Sequence, residues 1–137
     1  MNLKLFGIVA LSAAALATPA LAHHSFSMFD HEKLVSVSGT VKELEWTNPH
    51  VWLHIVGVDA KTGKPVDWSF EMASVGQVSG QGWKATTVKP GDKITVQMHP
   101  LKDGSRGGQY VSAILANGFR FQEYRGDPEI AKSNTIQ

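Results

Sequence analysis

A short run of strict alternation constrains the fold of this chain more than any other feature. Positions 50–55 read HVWLHI, so that imidazole and indole side chains alternate with aliphatic ones. Successive side chains of a β-strand point to opposite faces. The run therefore predicts a strand with one apolar face for a core and one outer face that carries His50, Trp52 and His54.

The first 22 residues are typical of a secretory signal peptide. Lys4 precedes an apolar run from Leu5 to Ala17, and the sequence ALA at positions 20–22 fits a cleavage site. An apolar run of about 13 residues is shorter than the roughly 20 that a membrane-spanning helix needs. We therefore predict export to the periplasm, removal of residues 1–22 and no membrane anchor in the mature chain.

Composition limits the number of domains and the functional classes that are open to the exported chain. Removal of residues 1–22 leaves 115 of the 137 residues (137 − 22), enough for one domain. Lys4 is the only charged residue lost, so 12 basic residues balance 12 acidic ones, which excludes the basic surface of a nucleic-acid binder. The chain has no cysteine, so neither disulfides nor a lipid-anchoring cysteine are expected.

Strand and turn signals predict the fold of the mature chain. Residues 23–33 are expected to form an N-terminal arm, residues 34–124 a barrel domain and residues 125–137 a flexible polar tail. Five strand-like segments are separated by turn signals, at 34–46, 50–58, 66–72, 93–98 and 109–116. A weak helix with Ser74 as its cap falls between the third and fourth segments. This order predicts an all-β fold, a small OB-like five-stranded Greek-key barrel, with a small β-sandwich as the alternative.

The new N-terminus predicts a metal site. Cleavage after Ala22 would leave His23 with both an α-amine and an imidazole, a pair that can chelate one ion. A second imidazole from the barrel would complete a three-nitrogen arrangement that resembles the histidine brace of copper proteins. Nitrogen sets of this kind favour Cu(II). The sequence therefore predicts copper as the first choice of cofactor, with no cofactor as the alternative.

The barrel histidines differ as candidates for the third nitrogen, which His50, His54 or His99 can supply. His50 and His54 would lie about 6.6 to 7 Å apart along one strand face, which is wide for a single ion. His50 is preferred because it follows Pro49, where a bulge can re-aim a side chain. Two further candidates lie in the arm, the imidazole of His24 and the soft thioether of Met28.

A different class of function fits the same residues. In this interpretation, His23 and His24 are only a soluble start to the mature chain. Trp52 and His54 would then form a metal-free face for a periplasmic partner protein or a small apolar ligand. Further candidates for this face are Trp46, Asn48 and His99. Asn48 also has a structural interpretation, because its side chain can close a turn by bonding backbone amides.

Motifs for hydrolytic chemistry are missing from the sequence. It has no cysteine nucleophile, no Gly-x-Ser-x-Gly elbow, no His-Glu-x-x-His and no glycine-rich phosphate loop. Glu43, Glu45 and Glu71 can approach the histidines, but exposed strand carboxylates are expected to be solvated. We therefore expect a binding protein rather than an enzyme.

Short motifs spread along the mature chain resemble those of a known group. They are HHSF at 23–26, MFD at 28–30, GTV at 39–41, EWTNPH at 45–50, GW at 82–83, PGD at 90–92 and HPL at 99–101. In combination they resemble a family of small exported proteobacterial proteins of unknown function. The resemblance implies an exported, all-β protein and carries no catalytic residue over to this chain.

Overall fold

The computed structural model describes residues 26–122. A short 3-10 turn, Phe26–Met28, precedes six strands and one helix. Their bounds are β1 Val35–Glu45, β2 Trp52–Val58, β3 Pro65–Glu71, α1 Val75–Gly80, β4 Lys93–Pro100, β5 Gly107–Leu115 and β6 Arg120–Gln122. The predicted signal peptide, the first three residues of the predicted arm and the predicted tail lie outside the described residues.

The strands form a closed barrel. Antiparallel pairing gives the order β3-β2-β1-β4-β5-β6, and a parallel pairing of β3 with β5 joins the two ends. Five strands close on one another with α1 between β3 and β4, as in an OB-fold, so the predicted fold class is confirmed. The sequence did not predict β6, which extends the sheet beside β5.

Strand β1 pairs with β4 through its first half and with β2 through its second half. Gly39 faces Gly57 of β2 on one side and Ile94 of β4 on the other. A Cβ at Gly39 would overlap the carbonyl oxygen of Val56, so only glycine permits this close approach of two strands. The pairing of β1 with β2 has a bulge between Val41 and Glu43, shortly after Gly39.

Alternation divides the inside of the barrel from the outside. The aliphatic residues of the opening run, Val51, Leu53 and Ile55, have no exposed surface, which confirms the predicted apolar face. Met72 and Met98, expected as core residues, are also buried. One end of the core is closed by aromatic side chains, since Trp83 contacts Phe121 of β6 with ring centroids 4.7 Å apart.

Helix α1 is short and begins at a capping box. Ser74 accepts a hydrogen bond from the backbone N–H of Gln77, as the sequence predicted. The side-chain oxygen of Asn48 accepts a second bond, 3.0 Å long, from the backbone N–H of Val75. Two orphan amides of the first turn are thus satisfied, one of them from the loop between β1 and β2.

The described end of the arm pairs with the barrel. Phe29 is buried and bridges Leu101 in antiparallel fashion, as expected for an arm that folds onto the domain. The backbone N–H of Asp30 donates to the carbonyl of Pro100 at 2.8 Å. Residues 28–30 therefore extend the sheet beyond β1, alongside the end of β4. Among residues 26–122, no helix has the length and apolar character needed to span a membrane.

Candidate functional site

A row of outward-facing side chains crosses the strands of the barrel. The paired residues are Glu45 of β1, Trp52 of β2, Glu71 of β3, Gln109 of β5 and His99 of β4. Their chain neighbours, such as Leu53, Phe70 and Tyr110, are fully buried and fill the core. Cross-strand neighbours on one face lie within side-chain reach of each other. His99 belongs to this row, and His50 and His54 each lie two residues from Trp52 along the chain.

His50 lies at one end of the row, where Glu71 of β3 and the next residue, Met72, contact its ring. Its Nδ1 atom lies 3.0 Å from the carbonyl oxygen of Met72 and 3.4 Å from a carboxylate oxygen of Glu71. A carbonyl oxygen only accepts, so Nδ1 carries the proton and donates. In the neutral ring the lone pair then lies on Nε2, the tautomer that an Nε2 metal ligand needs.

His54 is held through both ring nitrogens. Nε2 lies 3.1 Å from a carboxylate oxygen of Glu45, and Nδ1 lies 2.8 Å from the hydroxyl of Ser69. With Glu45 ionised, the neutral ring donates through Nε2 and accepts the Ser69 hydroxyl proton at Nδ1. The indole of Trp52 lies nearly parallel to this ring, with 6.3 Å between centroids and 10° between planes. A metal bound to His54 would have to displace one of these bonds.

The Ser69, His54 and Glu45 contacts have the connectivity of a nucleophile, a base and an orienting carboxylate. Acyl transfer also needs N–H donors aimed at a developing oxyanion. Two backbone amides at this place are engaged, since Ser69 N–H donates to the carbonyl of Arg106 and the N–H of Gly107, which pairs with Ser69, donates to that of Ser105. The contacts therefore serve to orient His54.

The imidazole rings of His31 and His99 lie next to each other. Their ring centroids lie 4.9 Å apart at an interplanar angle of 61°. The Nδ1 atom of His99 lies 2.8 Å from the carbonyl oxygen of Lys33 and donates to it, because a carbonyl only accepts. His31 is exposed and His99 is half-buried.

The other candidates for the site lie in different places. His23 and His24 fall outside the described residues. Met28 is partly exposed on the arm, and its carbonyl accepts from the backbone N–H of Lys102. Trp46 packs against the core, and Asn48 holds the helix end rather than a turn of its own loop. Within residues 26–122, no three His, Cys, Asp or Glu side chains form a group that could hold a metal ion.

Glu45 and Glu71 approach the histidines as the sequence predicted, but the predicted solvation is wrong for Glu71. Glu71 was expected to be solvated, yet it is only 8% exposed although it faces outward. Glu45 is 45% exposed and contacts His54. The alternation of β3 carried a usable signal, because Glu71 and Ser69 share the face opposite Phe70. The register between β2 and β3 brings them beside His50 and His54, and the length of the loop between these two strands fixes that register.

Charged groups outside the row support the loops around it. The Lys33 ammonium, 2.7 Å from Asp30, lowers the pKa of that carboxyl beside the His31–His99 pair. Hydrogen bonds from the backbone of Thr62 and from Arg106 lower the pKa of Asp59 to about 2. Asp59 and Arg106 thereby join the β2–β3 loop to the β4–β5 loop at the end of the barrel below Ser69.

The fold and this row define a small OB-like barrel with a histidine-bearing outer face. The chain belongs to a family of unknown function, DUF6152, whose model matches residues 11–110. The predicted membership of a family of unknown function is confirmed, whereas the proteobacterial origin, the signal peptide and the motifs as family features stay predictions. No curated protein and no solved structure matches the chain.

Proposed function

We propose that this chain is an exported, periplasmic binding protein for a transition metal, copper first, and acts as a carrier or accessory factor. The α-amine and imidazole of His23 and the Nε2 atom of His50 would supply the three nitrogens. His24 and Met28 are additional donors in the same arm.

The observation that carries this proposal is the bond from His50 Nδ1 to the carbonyl of Met72. Histidines that bind metals through Nε2 usually donate Nδ1–H to a carbonyl or a carboxylate, which fixes the tautomer and the ring orientation. His50 has both acceptors, since the buried carboxylate of Glu71 lies 3.4 Å away. His54 lacks this arrangement because Ser69 and Glu45 engage both of its nitrogens.

The length of the arm is compatible with this ligand set. Phe29 is level with Leu101, and the strand register places it about 16 Å from Glu71, counting three strand spacings across and two residues along. Six residue steps lead from Phe29 back to His23, and those through the 3-10 turn Phe26–Met28 rise only about 2 Å each, so the arm spans about 16 Å at most. The proposal therefore requires His23 to approach His50 with the first residues of the mature chain close to full extension.

The test compares Cu(II) binding by the chain that begins at His23 with binding by a chain that carries one extra residue before it. We expect the extension to weaken binding at least about 100-fold and to change the nitrogen pattern in electron paramagnetic resonance. His50→Gln should have a similar effect. His54→Gln is the matched control and should bind within about twofold of the wild type. Equal affinity and equal spectra for the two chain starts would overturn the proposal.

A second candidate function is a metal-free binding face on strands β2 and β3. The nearly parallel stack of Trp52 on His54 favours it, since both rings are half-buried and lie on the face through which OB-folds bind ligands. The occupant would be a small apolar ligand or an apolar segment of a partner protein.

An apolar dye, anilinonaphthalene sulfonate, tests this face. Trp52→Ala should remove most of the dye fluorescence, because the indole is the main apolar surface at this place. Phe119→Ala is the matched control, since Phe119 is 56% exposed at the turn before β6, away from the β2–β3 face. Dye binding that survives Trp52→Ala and is lost in Phe119→Ala would exclude this face.

A further inference from the structure

The His31–His99 pair results from the pairing of the arm with strand β4. Phe29 bridges Leu101 in antiparallel fashion, and Asp30 N–H bonds to the carbonyl of Pro100. His31 lies in the turn that follows, which the bond from Lys33 N–H to the carbonyl of Asp30 closes, and its ring contacts that of His99. The proximity of the two rings therefore follows from the backbone bonds on either side of His31.

The separation of the two rings matches that of two ligands on one metal ion. With metal–nitrogen distances of about 2.0 to 2.1 Å, each imidazole centroid lies about 3.2 Å from the ion. Two such rings at nitrogen–metal–nitrogen angles of about 90 to 110° have centroids about 4.5 to 5.2 Å apart. The centroids of His31 and His99 are 4.9 Å apart, within this range.

Neighbouring groups orient both rings. His99 donates Nδ1–H to the carbonyl of Lys33, so that its lone pair lies on Nε2. Buried Phe29 contacts the ring of His31 edge-on, with centroids 6.3 Å apart. The nearby charges compensate each other, because Lys33 pairs with Asp30 at 2.7 Å. Such second-sphere support is what histidine ligands commonly receive.

We propose that His31 and His99 form a two-imidazole site for a divalent transition ion, zinc or copper(II), that fastens the arm to the end of β4. Water would complete the coordination, since imidazole suits both ions and the pair lies at the surface. This site is separate from the proposed site at His23 and His50 and does not depend on it.

The test is a calorimetric titration of Zn²⁺ into the chain that begins at His23 and into four variants. His31→Gln and His99→Gln should each weaken binding at least about tenfold. His54→Gln, a histidine on the same outer surface, should leave it unchanged. The double variant His23→Gln/His24→Gln should retain the site, which separates its outcome from that of the copper experiment.

Hydrogen exchange gives a second readout, one that a merely structural role of the histidines would not produce. Metal binding should slow exchange at the Asp30 amide, by up to about 100-fold when free Zn²⁺ is 100 times the dissociation constant. The amide of Val96 in the middle of β4 is the internal control. In the His23→Gln/His24→Gln background, which lacks the other proposed site, zinc binding that persists after His31→Gln or His99→Gln would overturn the inference, as would loss of zinc binding from that double variant alone.

Discussion

The side-chain oxygen of Asn48 accepts a hydrogen bond from the backbone N–H of Val75, 27 residues later in the chain. This bond holds the loop that contains His50 against the first turn of α1. Asn48→Ala leaves that amide without its partner and should cost about 1 to 2 kcal/mol of unfolding free energy, as loss of a helix cap does. Urea unfolding followed by circular dichroism measures the change.

A conservative variant separates this role from simple loss of a side chain. Asn48→Asp retains the acceptor and places a negative charge near a helix N-terminus, which is favourable. It should unfold within about 0.5 kcal/mol of the wild type. If Asn48→Asp is as destabilised as Asn48→Ala, the contact with Val75 is not the reason for the loss.

Truncation of adjacent residues of β2 should lower the unfolding free energy by very different amounts. Leu53 has no exposed surface, so Leu53→Ala creates a cavity and should cost about 2 to 5 kcal/mol. Trp52 lies on the outer face, so Trp52→Ala should cost less than about 1.5 kcal/mol while it removes the indole from the candidate binding face. Thermal unfolding of both variants checks the assignment of faces. Comparable losses would mean that Trp52 also belongs to the core.

Two glycines should give opposite results when replaced by alanine. A Cβ at Gly108 would overlap the carbonyl oxygen of His99 and lie 2.8 Å from the Met98 sulfur, so Gly108→Ala should cost at least about 2 kcal/mol. Gly80 is helical with open space around it, so Gly80→Ala should stabilise by about 0.5 to 1 kcal/mol. Denaturant midpoints measure both effects. A neutral Gly108→Ala would mean that β4 and β5 separate without cost.

Acid should weaken the fold through Asp59. Its folded pKa of about 2 lies below the ordinary value of 3.8, so folding favours the ionised carboxylate. The resulting stability is fully present above about pH 4 and is lost as the pH falls toward 2. Asp59→Asn should lack this part of the fall in urea midpoint between pH 4 and pH 2.

The matched control for this pH effect is Asp67→Asn, which removes a carboxylate that contacts the exposed Lys42 ammonium. It shows whether the pH effect belongs to the Asp59–Arg106 connection or to any carboxylate paired with a cation. Parallel midpoint curves for Asp59→Asn and the wild type would show that the Asp59–Arg106 connection does not report on acid unfolding.

Local patterns predicted the elements of this fold well because their periods are short. The alternation at Val51, Leu53 and Ile55 requires only that one face be buried, and a single strand carries that information. Strand β6 was missed because Arg120–Gln122 is too short to show a period. It forms because Phe121 completes the core beside Trp83.

Pairwise features of the site were harder to predict because they arise from register between distant segments. Glu71 contacts His50, 21 positions earlier in the chain, and His31 contacts His99, 68 positions later. Both contacts lie at the ends of paired strands. Each pairing depends on the lengths of the loops between the strands, and a shift of one residue would turn the side chains to the other face. The sequence could therefore identify the candidate histidines without showing which partners they meet.

The parallel pairing of β3 with β5 involves only three residue pairs, Ser69 with Gly107, Phe70 with Gly108 and Glu71 with Gln109. It is the seam that turns a curved sheet into a barrel, and Glu71 and His99 lie on opposite sides of it. The distance between a probe at Glu71 and one at His99 is therefore a direct gauge of whether the seam is shut. Spin labels or fluorophores at these two positions would report transient opening of the barrel.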